Sequence, residues 1–141
     1  RLYRLRAWRA EKEPSVVRAE AEALAEDSAE AALPTLRASA LAVASRAALE
    51  AGDAKLALER AEAAMAQRDE VGTMEEDEAE IFLALAEALD ADGQKERARE
   101  IVARGASRLE FLAGRIADTS WRARFLSEVP VNRRLIELDG A

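Results

Sequence analysis

Ala40–Met65 reads ALAVASRAALEAGDAKLALERAEAAM. Leu41, Ala44, Ala47 and Ala48 recur at the three- and four-residue spacing of one helix face. Gly52 then predicts a stop, because glycine reaches positive φ without a Cβ penalty. Asp53 follows, placed to accept bonds from the free N–H groups that open the next helix. Leu56, Ala57, Ala61, Ala64 and Met65 resume the helical spacing. The stretch therefore predicts two helices, one over about 36–51 and one running to about Arg68, joined by a tight turn.

The flanks repeat this grammar. Upstream, Leu2, Leu5 and Trp8 make one stripe with Tyr3 beside it, the arginines fill the opposite face, and residues 11–14 break it. Trp8 is expected to pack between helices. Pro14 fits the first turn of a helix over about 15–32, with Val17, Ala21, Leu24 and Ala25 inward. Pro34 marks the next boundary, and Thr35 is placed to help start the helix that follows.

Downstream, Thr73 and Glu76 predict a capping box. A helix over about 75–91 follows, with Ile81, Phe82, Leu85, Ala86 and Leu89 buried. The carboxylates of Glu75, Glu76, Asp77 and Glu78 suit a helix N-terminus. Four consecutive side chains point in four directions, so they do not converge on a metal. Asp92-Gly93 turns the chain into a sixth helix, from about Gln94 to Ala117. Gly105 lies inside it, which predicts close approach to a neighbouring backbone. In the tail, Asp118 to Ser120 offers capping residues, Trp121, Phe125 and Leu126 form a stripe, and Val129-Pro130 ends it. Val131, Leu135, Ile136 and Leu138 close the chain. The tail is expected to fold back over the last helix pair.

Composition narrows the chemistry. Within 141 residues there is no histidine and no cysteine, which removes the commonest general base, the thiol nucleophile and thiolate metal sites. No Gly-rich phosphate loop appears. The pair Glu76 and Glu80 shares a helix face but lacks a matching set on another helix, so it does not make a di-metal site. No catalytic, metal or cofactor residues are expected. The formal charge of −7 is uneven: residues 1–12 carry +4, 13–114 carry −12, 115–134 carry +3 and the last seven −2. An acidic body argues against a nucleic-acid partner, which needs clustered Lys and Arg. No apolar run is long enough to span a membrane. The absence of cysteine leaves a reducing cytoplasm as the default location. The chain begins at Arg1 without a signal-peptide pattern, so a fragment of a longer protein is expected.

Gly52 and Gly93 lie 41 positions apart, and aligning them superimposes two halves. Leu41 falls on Phe82, Ala44 on Leu85, Ser45 on Ala86 and Ala48 on Leu89; Ala57 falls on Ala98, Ala61 on Val102 and Ala64 on Gly105. In Leu41, Ala44, Ser45, Gly52, Ala57 and Ala64, and again in Phe82, Leu85, Ala86, Gly93, Ala98 and Gly105, the chain resembles the tetratricopeptide (TPR) repeat. The interval is longer than the family's commonest one, and the proline that often closes a unit is missing. The resemblance covers roughly residues 36–117. It implies an all-α fold of antiparallel helical hairpins stacked as a TPR-like solenoid, with a short C-terminal capping helix. Residues 1–33 would be a degenerate or truncated unit, 34–117 two hairpins and 118–141 the capping segment. WRARFL at 121–126 with Val129, Pro130 and Asn132 is similar to the C-terminal end of repeat regions in large bacterial signalling proteins, where such repeats follow a kinase, an ATPase or a DNA-binding module.

The resemblance also implies a concave surface lined by the first helix of each unit. Those positions are Ser39, Ala42, Arg46, Leu49 and Glu50, then Glu80, Leu83, Glu87, Asp90 and Ala91. Of these, Arg46, Leu49, Glu50, Leu83, Glu87 and Asp90 are the candidate partner-binding residues. The surface leans acidic, so a basic and apolar protein segment or peptide is the expected partner. Self-association through Trp8 or the Trp121–Leu126 tail is the alternative.

Overall fold

The helix that carries the opening stretch, α3 (Pro34–Glu50), is buried on nearly every side. A helix apolar all round needs neighbours all round, and α3 has them in α1 (Leu2–Glu11), α2 (Pro14–Glu30), α4 (Ala54–Val71) and α5 (Glu78–Ala91). Its alanines make this possible, because a methyl side chain lets helix axes approach closely. The chain continues through α6 (Lys95–Gly114), α7 (Thr119–Ser127) and α8 (Pro130–Asp139). The computed structural model describes residues 1–72, 74 and 77–141, with Ala10 by its backbone alone. Among the described residues the chain is all-α, eight helices with neighbours packed against one another.

One turn is used three times. At the end of α3, Gly52 sits at φ +85°, its N–H bonds the Leu49 carbonyl, and the Asp53 N–H bonds that of Ala48 at 2.9 Å. At the end of α5, Gly93 sits at φ +83° and the Gln94 N–H reaches Leu89 at 2.9 Å. Both are Schellman motifs, which satisfy carbonyls the helix leaves open. The third ends α2, where Ala32 takes φ +54° and the Leu33 N–H bonds Ser28 at 2.8 Å. Sequence gave no sign of this one, because alanine stands where glycine would be expected. Asp53 caps α4 as its position suggests, accepting from the Leu56 N–H at 3.0 Å. Asp118 does the same for α7 through Trp121.

Several boundaries differ from expectation. Pro34 itself occupies the first turn of α3, and its cap position is Leu33, so Thr35 caps nothing. Helix α5 begins at Glu78, after Asp77 in a left-handed conformation. The proposed capping box of Thr73 and Glu76, and the carboxylates of Glu75 and Glu76, lie outside the described residues. Helix α6 stops at Gly114 rather than Ala117. The arginine at position 122 holds the link that follows, donating from Nε and Nη2 to the Ile116 carbonyl.

Gly105 makes a close approach, but to the Phe82 and Leu135 side chains rather than to a neighbouring backbone. A Cβ there would lie 2.9 Å from Phe82 Cβ and 3.3 Å from Leu135 Cδ1. Leu135 belongs to α8, which packs on α5 and α6. Helix α7 buries no residue fully; Phe125 and Leu126 are half-buried, and Trp121 is 64% exposed under the Arg124 guanidinium. Helices α7 and α8 both pack on α6, α7 through half-buried Phe125 and Leu126 with the Trp121 ring left outside. Leu135 and Asn132 of α8 are the buried residues of this tail, and Asn132 fixes α7 against α8 by donating to the Phe125 carbonyl at 3.0 Å.

Candidate partner-binding face

Two cavities flank α5. The larger, about 710 Å³, opens between α1, α5, α6 and α8. Its apolar wall includes Leu83, Leu109, Leu112, Phe125 and Val131, and Tyr3 stands at its mouth, 83% exposed. The smaller, about 660 Å³, lies between the C-terminal end of α5, α6 and α8, with Leu49, Val102 and Leu138 in its wall. Both are within the size range of ligand-binding clefts.

The candidate residues divide between these cavities. Arg46 and Leu83 line the larger, Leu49, Glu87 and Asp90 the smaller. Glu50 lines neither and is paired with Arg9. Leu83 is 1% exposed and is a core residue with one edge on the cavity. Ser39 and Ala42, also expected on the concave face, are buried inside. Positions expected on one concave surface thus divide between two cavities and the interior, and α1 lies against α3 with its own side chains at Glu50 and Glu80.

Those side chains are Arg6 and Arg9. Arg6 donates to Glu80 Oε1 from Nε at 3.1 Å and Nη2 at 2.9 Å, and its Nη1 lies 3.1 Å from Asp77. Burial works against the charged form of Arg6, but the carboxylates of Glu80 and Asp77 outweigh it and raise the guanidinium above its ordinary value. Arg46 reaches Glu80 Oε2 at 3.3 Å and Glu87 Oε1 at 3.1 Å. Glu80 is thus held by two arginines from two other helices. Glu78 is built alike: it accepts from the Met74 N–H at 2.8 Å, from Arg108 Nε at 2.7 Å and from Arg68 Nη2 at 3.3 Å. Buried carboxylates demand such pairing, since an uncompensated charge in the interior is costly.

The acid-leaning surface expected of these positions carries counter-charges: Arg46 engages both Glu80 and Glu87, and Arg6 covers Glu80. Sequence reasoning passed over Tyr3, Arg6, Arg9, Asp77, Arg108 and Arg134, all at the larger cavity. For Arg6 and Arg9 a signal was present. They stand three apart, on one face of the first helix, and were read as its solvated side.

Trp8 is half-buried against the core with Arg4 and Lys12 over its ring, as expected of a packing residue. Among the described residues, no group of His, Cys, Asp and Glu is arranged to hold a metal ion, and no helix is long and apolar enough to cross a membrane. No protein-family model, curated protein or solved structure matches the chain.

Proposed function

We propose that this chain is a non-catalytic protein-interaction scaffold, a TPR-like stack of helical hairpins that holds a partner at the cavity between α1, α5 and α8. It would serve as the C-terminal sensor or partner-binding part of a larger cytoplasmic bacterial signalling protein. The observation that carries the reading is the cavity itself: apolar walls from four helices, ringed by charged side chains, with an exposed tyrosine at the mouth. The matched turns at Gly52 and Gly93 support the repeat. The lack of histidine and cysteine supports a binding role over a chemical one.

Site-specific photo-crosslinking in the native host tests this. A photoreactive residue at Tyr3 is expected to trap a discrete protein adduct, and one at Glu26, exposed on the far side of α2, is not. Equal trapping at both, or none at Tyr3, removes the scaffold reading. Self-association is the second reading, favoured by the exposed rings of Trp121 and Phe111 near the C-terminal end. Sedimentation across a concentration series decides it, and a monomer throughout excludes it.

A further inference from the structure

We infer that the larger cavity takes an acidic peptide segment with an apolar side chain, the apolar group entering the cavity and the carboxylates meeting Arg9, Arg108 and Arg134. This rests on the reading of that cavity as the partner site.

The argument is the layering of charge. Among the described lining residues there are five arginines (6, 9, 46, 108, 134) and three acids, Asp77, Glu78 and Glu80. Two of the acids lie deep: the Glu78 and Glu80 side chains are 3% and 7% exposed, each already bound by two guanidiniums, while Asp77 is nearer the surface and pairs with Arg6. Arg9, Arg108 and Arg134 are more exposed than these two carboxylates, at 26%, 21% and 54%. Arg6 and Arg46 are spent on Glu80, Asp77 and Glu87. Among the described residues, three others keep donors without an acceptor. Arg108 bonds there through Nε to Glu78, with its guanidinium over the Phe111 ring. Arg9 pairs through Nη2 with Glu50, and its Nε is buried with no acceptor among the described residues. Arg134 is 54% exposed and, among the described residues, has only a 3.8 Å approach to Glu137. Guanidiniums in this state favour carboxylate partners, which they bind through paired N–H groups. The apolar wall of Leu109, Leu112, Phe125 and Val131 asks for a hydrophobic anchor beside the acid. A volume of about 710 Å³ holds a short segment rather than a folded surface.

The experiment is fluorescence anisotropy on the full chain with short labelled peptides that alternate Leu and Phe with Glu, with Lys or with Ser. The Glu peptide is expected to bind at least about tenfold more tightly than the other two, and to weaken as salt rises. Arg134→Glu, at an exposed position with no buried contact to lose, is expected to weaken it about tenfold or more, whereas Arg97→Glu on the far face of α6 leaves it unchanged. Preference for the Lys or Ser peptide, indifference to Arg134→Glu, or tighter binding of a single-stranded oligonucleotide of equal charge would each overturn the inference. Crosslinking at Tyr3 separates the two levels. A trapped partner with no preference for the Glu peptide sinks only the charge assignment; no trapped partner sinks the scaffold reading.

Discussion

Arg46 and Glu87 occupy the same position in the two halves of the repeat, 41 residues apart, and they are hydrogen-bonded to each other at 3.1 Å. The repeat is thus stitched to its own copy by residues of opposite charge at one register. Arg46 is 11% exposed and also serves Glu80, so its role is structural before it is anything else. Arg46→Glu would place a third carboxylate beside two others and is expected to cost about 3–5 kcal/mol. Exchanging the pair, Arg46→Glu with Glu87→Arg, restores only the Glu87 share, because Glu80 still faces a carboxylate. Urea titration of the wild type, the single variants and the double variant measures the coupling.

Gly105 and Gly114 lie in one helix and respond oppositely to alanine. At Gly105 the new methyl would meet Phe82 Cβ, which is tied to the α5 backbone and has little room to move. Overpacking of that kind costs about 1–3 kcal/mol, more than the helix-propensity gain of about 1 kcal/mol offsets. At Gly114 nothing lies within 4 Å, so alanine is expected to stabilise by about 0.5–1 kcal/mol. Paired thermal melts of the two variants give the sign of each change.

Ala32 holds a left-handed conformation that glycine holds at the two sister turns. Ala32→Gly relieves strain of about 1 kcal/mol and is expected to raise Tm. Gly52→Ala introduces the same strain and is expected to lower it by a similar amount. Equal melting temperatures for wild type and Ala32→Gly would show that the α2 turn is unstrained.

The C-terminal cover rests on Leu135, which is fully buried against α5 and α6. Leu135→Ala is expected to cost about 2–5 kcal/mol. Trp121→Ala, at an exposed ring, is expected to stay within about 0.5 kcal/mol of wild type. A large loss at Trp121 in chemical denaturation would reassign the cover to α7.

Helix positions were legible because alanine and leucine spacing, prolines at 14, 34 and 130, and glycines at 52 and 93 each act locally. The same residues told which faces turn inward: Leu41, Ala44, Ile81, Phe82 and Leu89 are all buried. The face between helices was not legible in this way. Whether Glu80 is an exposed acid or a buried one depends on Arg6, and nothing local links positions 6 and 80. How the tail divides its burial between two helices was no more legible: Phe125 and Leu126 of α7 are half-buried, and Leu135 of α8 fills the space over Gly105.

Glu80 receives Arg6 on one oxygen and Arg46 on the other. A side chain in the middle of the sequence is therefore one of the anchors that hold the first helix, across 74 positions of chain, beside the Arg9–Glu50 pair and buried Leu5. Shortening Glu80 would show first as faster amide exchange in α1, while the rest of the chain held. The N-terminal edge of the ordered structure is fixed from its centre.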